Sequence, residues 1–156
     1  MINNEHINAY KKTQQASNAV TSSHEIVKTL IKELMKSMQK IVLDIQDDRK
    51  RKKDQYLSDR EFEEKNAFHK SKNLSKSLSI IYGLQISLDF DKALDIANNL
   101  FQLYEYCRHE IIRGFSQKIE DGIIRAIDII KQIMAGWEEI PSSHPSIICL
   151  MISMAL

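Results

Sequence analysis

The stretch that decides the fold is Asp95-Ile96-Ala97-Asn98-Asn99-Leu100-Phe101-Gln102-Leu103-Tyr104-Glu105-Tyr106, the heart of a longer segment, 91–137, that closes on Gly136-Trp137. Its apolar positions recur every three or four residues, the spacing that places side chains on one face of a helix. Leu94, Ala97, Leu100, Phe101, Tyr104, Cys107 and Ile111 form one such line, with Gly114 expected to loosen its end. Ile119, Ile123, Ala126, Ile127, Ile130, Ile133, Met134 and Trp137 form the next, closed by Pro141. A helical face this long carries no chemistry of its own and must pack against other helices.

The same periodicity extends upstream. Val27, Leu30, Ile31, Leu34, Met38, Ile41, Val42 and Ile45 predict a first amphipathic helix, fading at Asp47-Asp48. Ser22 with Glu25 three residues later reads as a capping box opening it. Leu74, Leu78, Ile81 and Leu88, with Ile80 and Leu84 beside them, predict a second helix that starts as early as Asp59 and stops near residues 88–91. Asp89 or Asp91 is the expected cap of the helix that follows. Residues 1–22, rich in Asn, Thr, Gln and Ser, read as an extended or mobile arm. The expected architecture is all-α: an antiparallel up-down four-helix bundle over 23–140, preceded by the arm 1–22 and followed by an apolar tail, 141–156.

Composition agrees. The chain has 156 residues, enough for one domain with a real core, and only 4 Gly and 2 Pro to interrupt helices. Lys plus Arg number 22 and Asp plus Glu 21, a net charge of +1 that exerts no general pull on nucleic acid or acidic membranes. Cys107 and Cys149 lie far apart and outside any CxxC spacing, as expected of reduced thiols in a cytosolic protein. The start Met-Ile-Asn-Asn-Glu-His has neither a basic region nor an apolar core, so no secretory signal is expected.

Catalytic and metal-binding patterns fail residue by residue. A di-iron bundle needs Glu three residues before His, but His6, His24, His69, His109 and His144 are preceded there by Asn3, Thr21, Asn66, Tyr106 and Pro141. His24-Glu25 and His109-Glu110 begin like a zinc-hydrolase motif, yet Lys28 and Arg113 stand where the second histidine belongs. Cys107 and His109, two apart on a helix, face about 200° away from each other, so the imidazole cannot activate the thiol. Cys107 therefore reads as a small core residue, and the expectation is a non-enzyme with no metal and no cofactor. Arg49-Lys50-Arg51-Lys52-Lys53 looks like a nucleic-acid patch, but residues 47–65 hold seven basic and seven acidic side chains. A solvated, salt-bridged helix extension is the better reading. The tail from Pro145 to Leu156 is nearly all apolar, but its about twelve residues fall short of the ~20 that span a bilayer. Two readings stand: it packs on the bundle, where the groove of a partner helix is one place for it, or it is an exposed terminus.

Five segments in register resemble one family. These are Ala9-Tyr10; Ser22 to Ile26 with Glu25; Asn73-Leu74-Ser75-Lys76-Ser77-Leu78-Ser79-Ile80-Ile81, continuing through Leu84 to Leu88-Asp89; Ile96-Ala97-Asn98-Asn99-Leu100 with Leu103-Tyr104-Glu105-Tyr106; and Gly136-Trp137. Together they resemble the FliS family of flagellar export chaperones. The chain departs from it at Ser23, which replaces a proline, at Leu30-Ile31-Lys32-Glu33, in the long charged stretch 47–65 and in the apolar tail. The resemblance implies a cytosolic chaperone that binds the disordered C-terminal segment of flagellin, prevents premature polymerisation and presents the client to the flagellar export apparatus. It implies Ile7 and Tyr10 as residues covering a client groove, and Ile80, Ile81, Leu84, Leu88, Leu100, Tyr104 and Cys107 as residues lining or supporting it. The alternative is a helical adaptor for another amphipathic partner.

One outcome follows for the basic run. Nucleic-acid binding by filter retention is expected to be absent at low salt, whereas a true site would show affinity falling steeply with salt and vanishing when residues 49–53 become Gln or Ser.

Overall fold

A computed structural model describes the backbone of residues 4–53 and 60–140, and side chains over 24–51 and 64–140. Within these residues the chain forms four helices and no strand: α1 (Asn4–Lys53), α2 (Arg60–Ile86), α3 (Leu94–Gln117) and α4 (Asp121–Glu139). The extensive pairings are α1–α2, α3–α4, α1–α4 and α2–α3, while α1 and α3 meet little, so the helices surround one core in a ring. Polar contacts give the order along each pair. On α1 and α2, Glu33 meets Lys76 and Asp48 meets Lys70. On α1 and α4, Lys28 meets Glu138 at 3.6 Å and Arg49 meets Glu120 at 3.4 Å. Partner numbers fall as those of α1 rise.

The periodic positions become the core. Ile31, Leu34, Met38, Ile41 and Ile45 of α1 are almost wholly buried, and they pack with Ile81 and Leu84 of α2, Tyr104, Cys107 and Ile111 of α3, and Ile123, Ala126, Ile130 and Trp137 of α4. Ser37 and Ser77 are buried too, and each hydroxyl donates to a carbonyl four residues back, Glu33 and Asn73 respectively. Their polarity is satisfied inside their own helices.

Three local expectations need correction. The first helix does not start near Ser22, because α1 is continuous from Asn4, and so the backbone of 4–22 is helical rather than extended. No glycine precedes Gly83 and no proline precedes Pro141, so nothing breaks the helix. Propagation from a packed segment is cheap once nucleation is done. The tail 141–156 lies outside the described residues.

Second, Gly114 does not end α3. It is buried within the helix, and the left-handed cap falls on Lys118 (φ 57°, ψ 40°), whose N–H donates to the Gly114 carbonyl. Ile119 N–H donates there too, at 3.0 Å. Gly114 is needed for close approach: a Cβ would lie 2.6 Å from the Ile119 oxygen and from the Ile123 side chain. Ile119, expected on the α4 face, therefore sits in the turn and is exposed, as is Leu94 at the start of α3.

Third, neither Asp89 nor Asp91 caps α3, whose N-cap residue, Ala93, supplies no side-chain bond. Asp89 instead organises the preceding turn: its Oδ1 accepts from the Asp91 and Lys92 amides at 3.0 and 3.1 Å, and Lys92 Nζ lies 3.2 Å from Oδ2. Burial pushes this carboxyl's pKa up, but the Lys92 amide and ammonium and the Asp91 amide outweigh it and hold it below the usual range.

The α3–α4 turn generates a pair of opposed outcomes. Gly114→Ala should destabilise by about 1–3 kcal/mol through overpacking, and Lys118→Gly should stabilise by about 1 kcal/mol by relieving the left-handed residue, both read by chemical denaturation.

Candidate functional site

The helices are unequal in length, and that creates the site. Helical rise makes α1 about 75 Å long and α4 about 28 Å. One end of α4 meets α1 at His24. There the end of α2, the start of α3 and the end of α4 frame an apolar cleft of about 280 Å³. Val27 reaches it from α1, and Leu84, Ser87 and Leu88 come from α2 and its exit. Ile96, Leu100 and Tyr104 come from α3, while Ile133, Gly136, Trp137 and Ile140 come from α4 and its cap. Among the described residues no charged side chain lines it.

A reciprocal lock fixes the Trp137 wall. His24 and Trp137 stack with centroids 5.1 Å apart and planes at 14°. Trp137 Nε1–H donates to the His24 carbonyl at 3.2 Å. His24 Nε2 lies 3.2 Å from the Trp137 carbonyl, which can only accept, so Nε2 carries the proton. Between α2 and α3, Gln85 donates to Glu105 at 2.8 Å, and Arg108 grips the same carboxylate with two bonds. The Arg108 bonds and then the Gln85 bond hold the Glu105 carboxyl down at about 2.

The structure brings Leu84, Leu88, Leu100 and Tyr104 together in this cleft. It places Ile80, Ile81 and Cys107 elsewhere, in the buried core. Cys107 Sγ–H points to the Ala126 carbonyl at 3.7 Å, and burial pushes the thiol up to about 12. Ile7 and Tyr10 lie on α1, which is helical there, but their side chains are outside the described residues. By helical rise Tyr10 stands about 25 Å along α1 from Val27, and Ile7 about 30 Å. Val27, Ile96, Ile133 and Ile140 were missed as lining. The periodicity of Val27 and Ile133 marked only burial, while Ile96 and Ile140 fell outside the periodic lines; the i, i+4 pairing of Ile96 with Leu100 was the available signal for Ile96, which is 52% exposed.

A shallower groove continues along α3 and α4. Asn99, Gln102, Leu103, Tyr106 and Ile129 line about 540 Å³ there. Ile129 sits one turn from Ile133 of the cleft, as Asn99 does from Ile96. Arg125 Nε donates to the Tyr106 hydroxyl at 3.5 Å and closes that end. In the basic run, Arg49 donates to Glu120 at 3.4 Å and to the Lys118 carbonyl at 3.5 Å. Among the described residues no group of three metal-ligating side chains converges, and no helix is long and apolar enough to cross a membrane.

The Glu105 bridge should register in acid. A carboxyl depressed from 4.5 to about 2 contributes stability above 4.5 and loses it as pH falls through about 2. Glu105→Gln should therefore have a lower melting temperature than the parent at neutral pH, with the gap narrowing toward pH 2, as followed by circular dichroism.

The sequence matches the family described as Flagellar protein FliS over residues 6–144. A curated relative, the flagellar secretion chaperone FliS of Vibrio cholerae serotype O1, is 32% identical over 75 residues, 48% of this chain. The chain spans 55% of that relative's length. With a family match over most of its length, the chain belongs to the FliS family of flagellar proteins.

Proposed function

We propose that the chain is a cytosolic flagellar export chaperone, and that it holds the C-terminal segment of flagellin against the cleft and the groove that continues it. The observation that carries this reading is the uncharged cleft formed by Leu84, Leu88, Leu100, Tyr104 and Trp137 in a FliS-family chain. Such a surface suits the apolar stripe of an amphipathic segment, whose residues at i, i+3, i+4 and i+7 enter a groove between helices. Polar side chains adjoin the lining in sequence, with Gln85 next to Leu84 and Glu105 next to Tyr104, so a bound segment can keep its charged face in water. Trp137 and Tyr104 are the residue types that anchor interfaces.

The mechanism has no covalent step. Free client pays ordering entropy on binding, about 2–5 kcal/mol for a segment of this kind, which lowers the affinity below what its contacts alone would give and so favours release to the export apparatus. Occupying the client's apolar stripe removes the surface that would drive polymerisation.

Calorimetric titration with flagellin, and with flagellin lacking its last ~40 residues (two to three short helices by rise per residue), tests the reading. Full-length flagellin should bind and the truncated form should not. Ile96→Asp, at an exposed cleft position, should weaken binding about tenfold, or 1.4 kcal/mol, without changing the melting temperature. Equal failure to bind both flagellins would refute the proposal, and stoichiometric capture of a non-flagellar helical partner would favour an adaptor.

A further inference from the structure

We infer that the apolar segment Ile147-Ile148-Cys149-Leu150-Met151-Ile152 of this same chain docks in the cleft and must leave it before a client enters. The docking claim stands on the cleft itself. The competition claim rests on the proposed function.

The segment lies outside the described residues, but its point of departure does not. Ile140 is a wall of the cleft and also the cap of α4, with φ −78° and ψ 115°. The backbone therefore turns out of the helix at the cleft rim, and Pro141 cannot rejoin it. Ile147 is seven residues further on, a reach of up to about 25 Å. Ile133, seven residues back along α4, is only about 10 Å away along the axis. The chain can double back over the whole cleft with slack to spare.

The chemistry selects the same segment. Over the whole sequence 28% of residues are charged, yet Pro145 to Leu156 contains no Asp, Glu, Lys or Arg. The cleft walls Leu88, Ile96, Leu100, Ile133 and Trp137 offer no charge to pair with, so a neutral apolar occupant is favoured and a charged one is penalised. The other end of the chain starts from a worse position: α1 runs on as continuous helix past Val27, carrying residues 4–22 along its axis.

Trp137, the only tryptophan, reports on the cleft directly. In the full-length chain, Ile148→Asp with Met151→Asp should shift Trp137 emission to the red and raise its quenching by acrylamide, with helicity by circular dichroism unchanged. Ser146→Asp, a single added charge at the segment's edge, should leave Trp137 as in the parent. Unchanged emission and quenching in the double variant would overturn docking, as would an equal response to Ser146→Asp. Parent emission that depends on protein concentration would also overturn it, by assigning the cleft to a second copy.

Competition is read separately with a flagellin C-terminal peptide. If the docked state is about 90% populated, the double variant should bind about tenfold tighter. Equal affinity alongside a Trp137 response would overturn competition and leave docking supported. No peptide binding by either protein would count against the proposed function, while the Trp137 readout would still decide docking.

Discussion

The rest of the structure depends on the buried stripe of α1. Ile31, Leu34, Met38, Ile41 and Ile45 are nearly inaccessible to water, and both α2 and α4 pack on the helix that carries them. Each such side chain gains about 1.5–3 kcal/mol on full burial. The stripe is thus the largest continuous source of stability, and it sets where the other helices lie. The α1 ion pairs sit at its edges and orient it rather than hold it, since exposed pairs contribute at most about 1 kcal/mol.

The cleft is what remains where that stripe ends. α4 stops at Glu139 and α2 at Ile86, while α3 starts only at Leu94. Among the described residues no fifth element closes the apolar arcs of these three helices, and Val27 is the α1 residue that lines the space between them. The Asp89 turn and the His24–Trp137 lock hold this end open in a defined shape. At the opposite end, Gly114 lets the α3–α4 turn close tightly, and the pocket found there is lined by the polar and charged Gln46, Arg49, Lys50 and Glu120 rather than by apolar side chains.

Most of the helical architecture was legible because periodicity reports burial, and these helices are strongly periodic. The lines Val27 to Ile45 and Ile123 to Trp137 became core almost residue for residue. Helix ends were less legible because caps depend on where the chain must turn. Gly114 carried the signal of a terminator but serves close packing, and Lys118 took the left-handed conformation. Within the candidate site, Leu84, Leu88, Leu100 and Tyr104 were readable as a wide apolar arc. Ile80, Ile81 and Cys107 belong to the same arc and proved to be core, because an arc's angular width does not say which edge faces a neighbour.

By itself, the sequence determined an all-α chain without catalytic spacing, its helix count and the segments that resemble FliS. Those properties are local: they follow from residue type and from spacing along one strand of chain. Only the tertiary structure decided that Val27, Leu88, Ile96, Ile133 and Trp137, from four helices, surround one space, and that Ile140 delivers the chain to its rim. The segment around Leu100 and Tyr104 is core on one arc and cleft on the next. Burial is a property of the whole packed set of helices, so the line between those arcs exists only once α2 and α4 are in place.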